Sequence, residues 1–207
     1  MEKVNVFFRC LVVATLVVLG ACTDYQYVDT GLANGKHDCT VWEYLHSQPD
    51  DWDSTIIMIE HAGLKDLFEG KGEHEQITFL GVTNHSIRLY MIEKGYERVT
   101  DIPVEFCQKT LSKLIIPQRV MLADVPRGKR DEYTGEESDG IEYRTLGGRL
   151  FMWTYQQPFE GVPDMGEISL HFFARGGTAV NRIYSTDIQT NNGVVQALGY
   201  SFQFKYI

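Results

Sequence analysis

Apolar residues recur at helical spacing through the first half of the chain and at every second position through much of the second half, which predicts helices followed by strands. Thr40 and Glu43 have the spacing of a capping box, and Val41, Tyr44 and Leu45 then share one helical face until Pro49 stops it. A second helix is expected from Asp53, with Ile56, Ile57, Met58 and Ile59 feeding its apolar side and Gly63 ending it. Leu64, Leu67 and Phe68 add a further turn before Gly70. Residues 76–81 read as a short strand, after which Thr83 and Asn84 are placed to cap a helix carrying Ile87, Tyr90 and Met91. Asp101 and Pro103 open another helix, whose face is Phe106, Cys107, Leu111 and Leu114 and which gives way to extended chain near Pro117.

Beyond that point the period is two. Leu150, Met152 and Thr154 alternate with Phe151, Trp153 and Tyr155, and Ile168, Leu170, Phe172 and Ala174 alternate with Ser169, His171, Phe173 and Arg175. Gly147-Gly148 and Gly176-Gly177 mark turns, and residues 131–140, acidic among Gly and Ser, suit an exposed hairpin loop. Tyr200, Phe202, Phe204 and Tyr206, set against Ser201, Gln203 and Lys205, predict a last strand. Helices first and strands later give an α+β domain rather than an alternating parallel-sheet fold.

The amino terminus reads differently. Lys3 and Arg9 precede an apolar run over residues 11–19, followed by Leu19-Gly20-Ala21-Cys22. That junction resembles a bacterial lipobox, which implies removal of residues 1–21 and acylation of Cys22. A membrane-spanning helix needs about 20 apolar residues, more than this run supplies. Each buried methylene of an acyl chain adds roughly 0.8 kcal/mol of membrane affinity, so the lipid suffices as an anchor. Thr23, rather than aspartate, follows the cysteine, which by analogy directs sorting to the outer membrane, facing either the periplasm or the surface. Residues 22–37 lack an apolar period and read as a tether, leaving residues 38–207 as the domain.

The formal charge is −9 over 207 residues, and losing the basic leader makes the remainder more acidic. Such a chain is a poor partner for nucleic acid, whose phosphates demand clustered Lys and Arg; the Arg127-Gly128-Lys129-Arg130 run lies beside acidic residues. Of four cysteines, Cys10 leaves with the leader and Cys22 carries lipid. Cys39 and Cys107 could form a disulfide in an exported protein, or stand as separate thiols, and the helical spacing of Cys107 with Leu111 and Leu114 favours the second. None of the six histidines stands in a zinc-binding helical pair. Asp50, Asp51 and Asp53 lack the glycine and terminal glutamate of an EF-hand, and Gly70-Lys71-Gly72 is too short for a P-loop. No serine occupies a nucleophile elbow, so neither a cofactor nor an enzymatic centre is expected. The binding candidate is the row Phe151, Trp153 and Tyr155, whose rings could stack on sugars or anchor a protein interface if the strand is not covered on both faces.

Two stretches resemble the paired motifs of the fasciclin, or FAS1, family. The first is Ile77-Thr78-Phe79-Leu80-Gly81-Val82-Thr83-Asn84; the second is Thr186-Asp187-Ile188 followed by Asn192-Gly193-Val194-Val195. Between them, Leu114-Ile115-Ile116-Pro117-Gln118-Arg119 is similar to the family's middle motif, and Thr145-Leu146-Gly147-Gly148 to its strand and turn. Leu114 and Gln196 stand where the family places histidines, and Gly199 where it places an acidic residue. The resemblance implies a wedge of β-sheet flanked by helices, a non-catalytic role in adhesion or in binding a protein or glycan, and lipid-anchored bacterial relatives. By analogy it also allows an accessory subunit of an outer-membrane TonB-dependent glycan-import complex. With those side chains changed, the integrin contacts of animal members are not carried over.

Overall fold

The computed structural model describes residues 35–131 and 133–207, so Cys22 and the leader lie outside the described residues. The Gly35–Ile207 unit forms a mixed α+β domain, and among the described residues no helix is long and apolar enough to cross a membrane. Helices α1 (Val41–Ser47), α2 (Pro49–His61) and α3 (Lys65–Phe68) precede strand β1 (Ile77–Gly81). Helices α4 (Asn84–Lys94) and α5 (Val104–Lys113) follow, and then strands dominate. These are β2 (Ile115–Ile116), β3 (Lys129–Arg130), β4 (Glu137–Ser138), β5 (Ile141–Thr145), β6 (Gly148–Gln156), β7 (Ile168–Ala174), β8 (Asn181–Thr190) and β9 (Gly193–Leu198).

Local chemistry accounts for the helix limits. Thr40 accepts from the Glu43 amide at 3.2 Å while the Glu43 carboxylate accepts from the Thr40 amide at 2.8 Å, a complete capping box. Pro49 opens α2 instead of merely stopping α1, because its missing amide costs nothing in a first turn; the helix therefore starts ahead of the expected Asp53. Gly95, at φ 74°, supplies the left-handed residue that ends α4.

The main sheet has strand order β2-β1-β9-β8-β7-β6-β5. All pairs are antiparallel except β1 and β9, which run parallel from Ile77↔Gly193 to Gly81↔Ala197 and are buried along their whole length. The two sheet edges approach each other: the Leu146 amide donates to the Ile115 carbonyl at 2.9 Å and the Gly147 amide to the Ser112 carbonyl at 2.8 Å. The sheet is thus nearly closed, and few of its edge groups await another chain. Leu45, Met58, Ile59, Phe68, Phe79, Leu111, Met152 and Phe172 belong to one continuous core, with Phe68 and Phe79 edge to face at 4.9 Å.

A buried polar seam locks the parallel pair in place. The Thr78 hydroxyl donates to the Gln118 carbonyl at 2.7 Å and accepts from the Val120 amide at 2.8 Å. Asn192 accepts from the Val41 amide at 2.8 Å and donates to the Phe68 carbonyl at 3.0 Å, joining the helices to the β8–β9 turn. Gln196, fully buried, accepts from the Asp187 amide and donates to the Asp187 carboxylate and the Val120 carbonyl. Arg119 donates to the carbonyls of Thr190 and Gly193 and to the side chains of Gln76 and Gln189.

One expectation from the pattern changes here, and one strand is found that the pattern does not predict. Residues 200–206 form no strand; Phe202 and Phe204 are buried, yet the backbone turns through Phe202 N–H to Gly199 O and a short 3-10 helix, Phe204–Tyr206. Side-chain alternation persists because Phe204 meets Tyr90 and Phe106 edge to face, which needs no strand partner. Conversely β8 carries little alternation, because it is bulged on both sides of Ser185 and Asp187 adopts φ 60°.

Candidate functional site

The carboxyl ends of the two parallel strands, β1 and β9, open onto a cleft of about 460 Å³. The lining comes from four places: Asp51 and Trp52 of α2, Thr83 at the start of α4, Tyr184 and Ser185 of β8, and residues 197–201.

Each contributor is fixed by local structure. Asn84 stitches α2 to α4, accepting from the Ser54 amide at 2.7 Å and donating to the carbonyls of Pro49 and Asp50, both at 2.9 Å. Thr55 donates to the Val82 carbonyl beneath them. The first β8 bulge lies between Ile183↔Leu198 and Ser185↔Ala197, making Tyr184 the extra residue; a bulge re-aims the side chain it carries. Tyr184 is 64% exposed, and its ring lies over Gly199, where a Cβ would stand 2.5 Å from the Tyr184 Cε2. Only glycine at that position leaves room for the ring in this place. Tyr200, 57% exposed, stacks obliquely on His85 at 4.7 Å and donates its hydroxyl to the Asp51 carboxylate at 3.2 Å. The Asp51 charge, followed by that hydrogen bond, raises the Tyr200 pKa.

The informative atom is the Thr83 hydroxyl oxygen. Thr83 has the extended backbone of an N-cap, but its side chain makes no capping bond. It is 3% exposed, and its Oγ1 has no hydrogen-bond partner. Such a buried orphan ordinarily costs about 1–3 kcal/mol. Thr145 Oγ1 and Arg182 Nε are also unpartnered among the described residues; of the three groups, Thr83 lines the cleft.

The aromatic row Phe151, Trp153 and Tyr155 lies on the sheet face opposite the core cluster. Phe151 and Trp153 are 6% and 5% exposed, whereas Tyr155 is 47% exposed. The β3–β4 hairpin packs here: a Cβ on Gly140 would stand 2.3 Å from the Phe151 ring, and the Arg130 guanidinium covers Phe173 at 3.7 Å. Glu137 and Glu142 pair with Arg175 at 2.7 Å beside it. Trp153 stacks on His171 at 5.6 Å, and His171 Nε2 lies 2.8 Å from the Ser169 hydroxyl. Burial, followed by the Arg182 charge, pushes the His171 pKa down. Ser169 is itself buried and donates to the Tyr155 carbonyl at 3.1 Å, so this serine–histidine pair is packing rather than an open nucleophile.

Other groups singled out by sequence have structural partners. His61 bonds the Ile102 carbonyl at 2.9 Å. Cys39 and Cys107 are free thiols, and burial raises the Cys107 pKa to about 11. Among the described residues no three of His, Cys, Asp and Glu converge as metal ligands.

No family model matches the sequence, and no curated protein matches it. Among solved structures, one similar chain is a FAS1 domain pair from the insect cell adhesion molecule fasciclin I, with a TM-score of 0.53 at 12% identity. The match covers 77% of this chain and 49% of that one, so this chain spans about half the length of its structural neighbour. The fold is FAS1-like. At this identity the likeness concerns architecture, and the residues Thr78, Asp187, Asn192 and Arg119 in the family-like motifs are those that hold the FAS1-like sheet together.

The cleft residues were spread across separate sequence features: Asp51 in an acidic run, Thr83 in a cap, Tyr200 in an expected strand, and Tyr184 in none. The available signal was the Tyr-Ser dipeptide, which occurs at Tyr184-Ser185 and again at Tyr200-Ser201.

Proposed function

We propose that the chain is a non-catalytic binding module of the cell envelope, anchored through acylated Cys22 and presenting the Tyr184–Tyr200 cleft to a protein or glycan. The observation that carries this reading is a cleft flanked by two exposed tyrosines and lined by Thr83, whose buried hydroxyl has no partner. A buried hydroxyl without a partner is uncommon in a folded chain, and a ligand at the cleft can pair this one. The FAS1-like architecture supports the reading, since its neighbour is described as a cell adhesion molecule. The basic leader, apolar run and Leu19-Gly20-Ala21-Cys22 junction support envelope anchoring, and Thr23 supports the outer membrane.

Two measurements test it. Labelled palmitate should enter the wild-type chain in cells and be absent from Cys22→Ser; equal labelling contradicts the anchor. The purified chain should be retained by immobilised envelope glycans or proteins, and the double variant Tyr184→Ala with Tyr200→Ala should lose that retention. Undiminished retention by the double variant moves the binding surface elsewhere.

A further inference from the structure

We infer that the cleft takes a neutral sugar ring, an assignment that rests on the reading of the chain as a binding module and names its ligand class. Four features converge on it. Tyr184 and Tyr200 are more than half exposed at the cleft, with Arg182 over the Tyr184 ring at 5.4 Å and His85 against the Tyr200 ring at 4.7 Å, and the electron-rich ring surface left open attracts the polarised C–H groups on the flat side of a pyranose. Thr83 lines the cleft, and its Oγ1, able both to donate and to accept, is itself buried and without a partner, so a sugar hydroxyl would pair with it through a small shift of the cleft wall. The Asp51 carboxylate accepts from Tyr200 and retains lone pairs for a second hydroxyl. Ser185 and Ser201 add two exposed hydroxyls at the rim.

Charge narrows the class. The Arg182 guanidinium lies 5.4 Å from the centre of the Tyr184 ring but is already paired with Glu167 at 3.1 Å, and the charged group among the cleft-lining residues is the Asp51 carboxylate, so phosphate, sulfate or uronate groups would meet a negative neighbour and a cation that is already engaged. A quaternary ammonium would satisfy Asp51 and the rings but leave the Thr83 hydroxyl without a partner. The volume of about 460 Å³ falls within the roughly 300–1,000 Å³ typical of small-molecule sites.

Gly199 separates the ligand platform from the fold. Replacing it by alanine would press a Cβ against the Tyr184 ring at 2.5 Å, and that exposed ring can swing away without disturbing the core. Gly199→Ala therefore displaces one wall of the cleft while leaving the chain folded.

The test uses the full-length, nitrogen-15-labelled chain in detergent. It is titrated separately with neutral oligosaccharides of glucose, galactose, mannose and xylose, with glucuronic acid, with lysine amide and with triglycine. At least one neutral oligosaccharide should shift the amides of Thr83, Tyr184 and Tyr200 saturably. Thr83→Val should weaken that binding about tenfold, the loss of one ligand hydrogen bond, with Gly199→Ala and Tyr200→Ala weakening it at least as much. Retained amide spectra outside the cleft show that each variant is folded. Neutral sugars that shift none of these amides, or only amides elsewhere, overturn the assignment. Shifts at the cleft by lysine amide, triglycine or glucuronic acid instead of sugar also overturn it, while leaving the binding-module reading intact. Chromatography of the incubated sugar separates the converse failure: binding at the cleft with cleavage products would support the sugar class and sink the non-catalytic reading.

Discussion

Thr78 and Thr83 lie close together along the chain, one within β1 and the other just past its end, and both are buried. The first has its hydroxyl doubly engaged, donating to Gln118 and accepting from Val120. The second has a hydroxyl with no partner, at a cleft edged by exposed tyrosines. The contrast extends to their surroundings. Around Thr78, the buried amide of Gln196 and the side chains of Asn192 and Asp187 bond one another or the backbone of distant elements. Around Thr83, side chains are held in place while their binding capacity is left open. Polar groups in the seam bond one another across the fold, whereas the buried Thr83 hydroxyl beside the cleft bonds nothing.

The comparison breaks first at its strongest point. Asn192→Ala strands the Val41 amide and the Phe68 carbonyl together, both deep in the domain, and should cost about 3 kcal/mol in urea unfolding. A loss under about 1 kcal/mol would mean that water replaces Asn192 and that the seam is not locked. Thr78→Val keeps the shape but deletes two hydrogen bonds, and should cost about 2 kcal/mol by the same assay.

A smaller effect concerns acid. The His171 pKa is depressed from its ordinary 6.5, by burial first and by Arg182 second. As pH falls through 6.5 the unfolded chain therefore takes up this proton before the folded chain does, so stability is lost in that range and regained above it. His171→Gln should flatten this part of the stability-versus-pH curve, whatever its effect at neutral pH. An unchanged slope would show that His171 titrates alike in both states.

Much of the fold was legible because its signals are local. The Thr40–Glu43 box, the apolar faces of α4 and α5 and the alternation in β6 and β7 depend on near neighbours, and the structure keeps them. Tertiary decisions were not legible. β8 hides its strand character because its bulges shift the period and turn Asp187 to positive φ, while residues 200–206 alternate without pairing because other rings receive their aromatics. The same reason hid the candidate site. Thr83 reads as a helix cap in sequence, and it holds the cap position with the extended backbone of a cap while its side chain makes no capping bond, which only the three-dimensional arrangement reveals. Phe151 and Trp153 read as a possible platform, but the Gly140 backbone that covers Phe151 and the Arg130 guanidinium that covers Phe173 come from the charged segment preceding β5, which the alternation within β6 does not register.

The least effect is expected at the residue on which the account turns. Thr83→Val removes a buried hydroxyl that bonds nothing and replaces it with a methyl of similar size, so its urea midpoint should match or slightly exceed that of the parent chain. Measured beside Thr78→Val, it should show a difference of about 2 kcal/mol between the same substitution at two buried threonines. Equal losses at both positions would make the Thr83 hydroxyl part of the fold and contradict its reservation for a ligand.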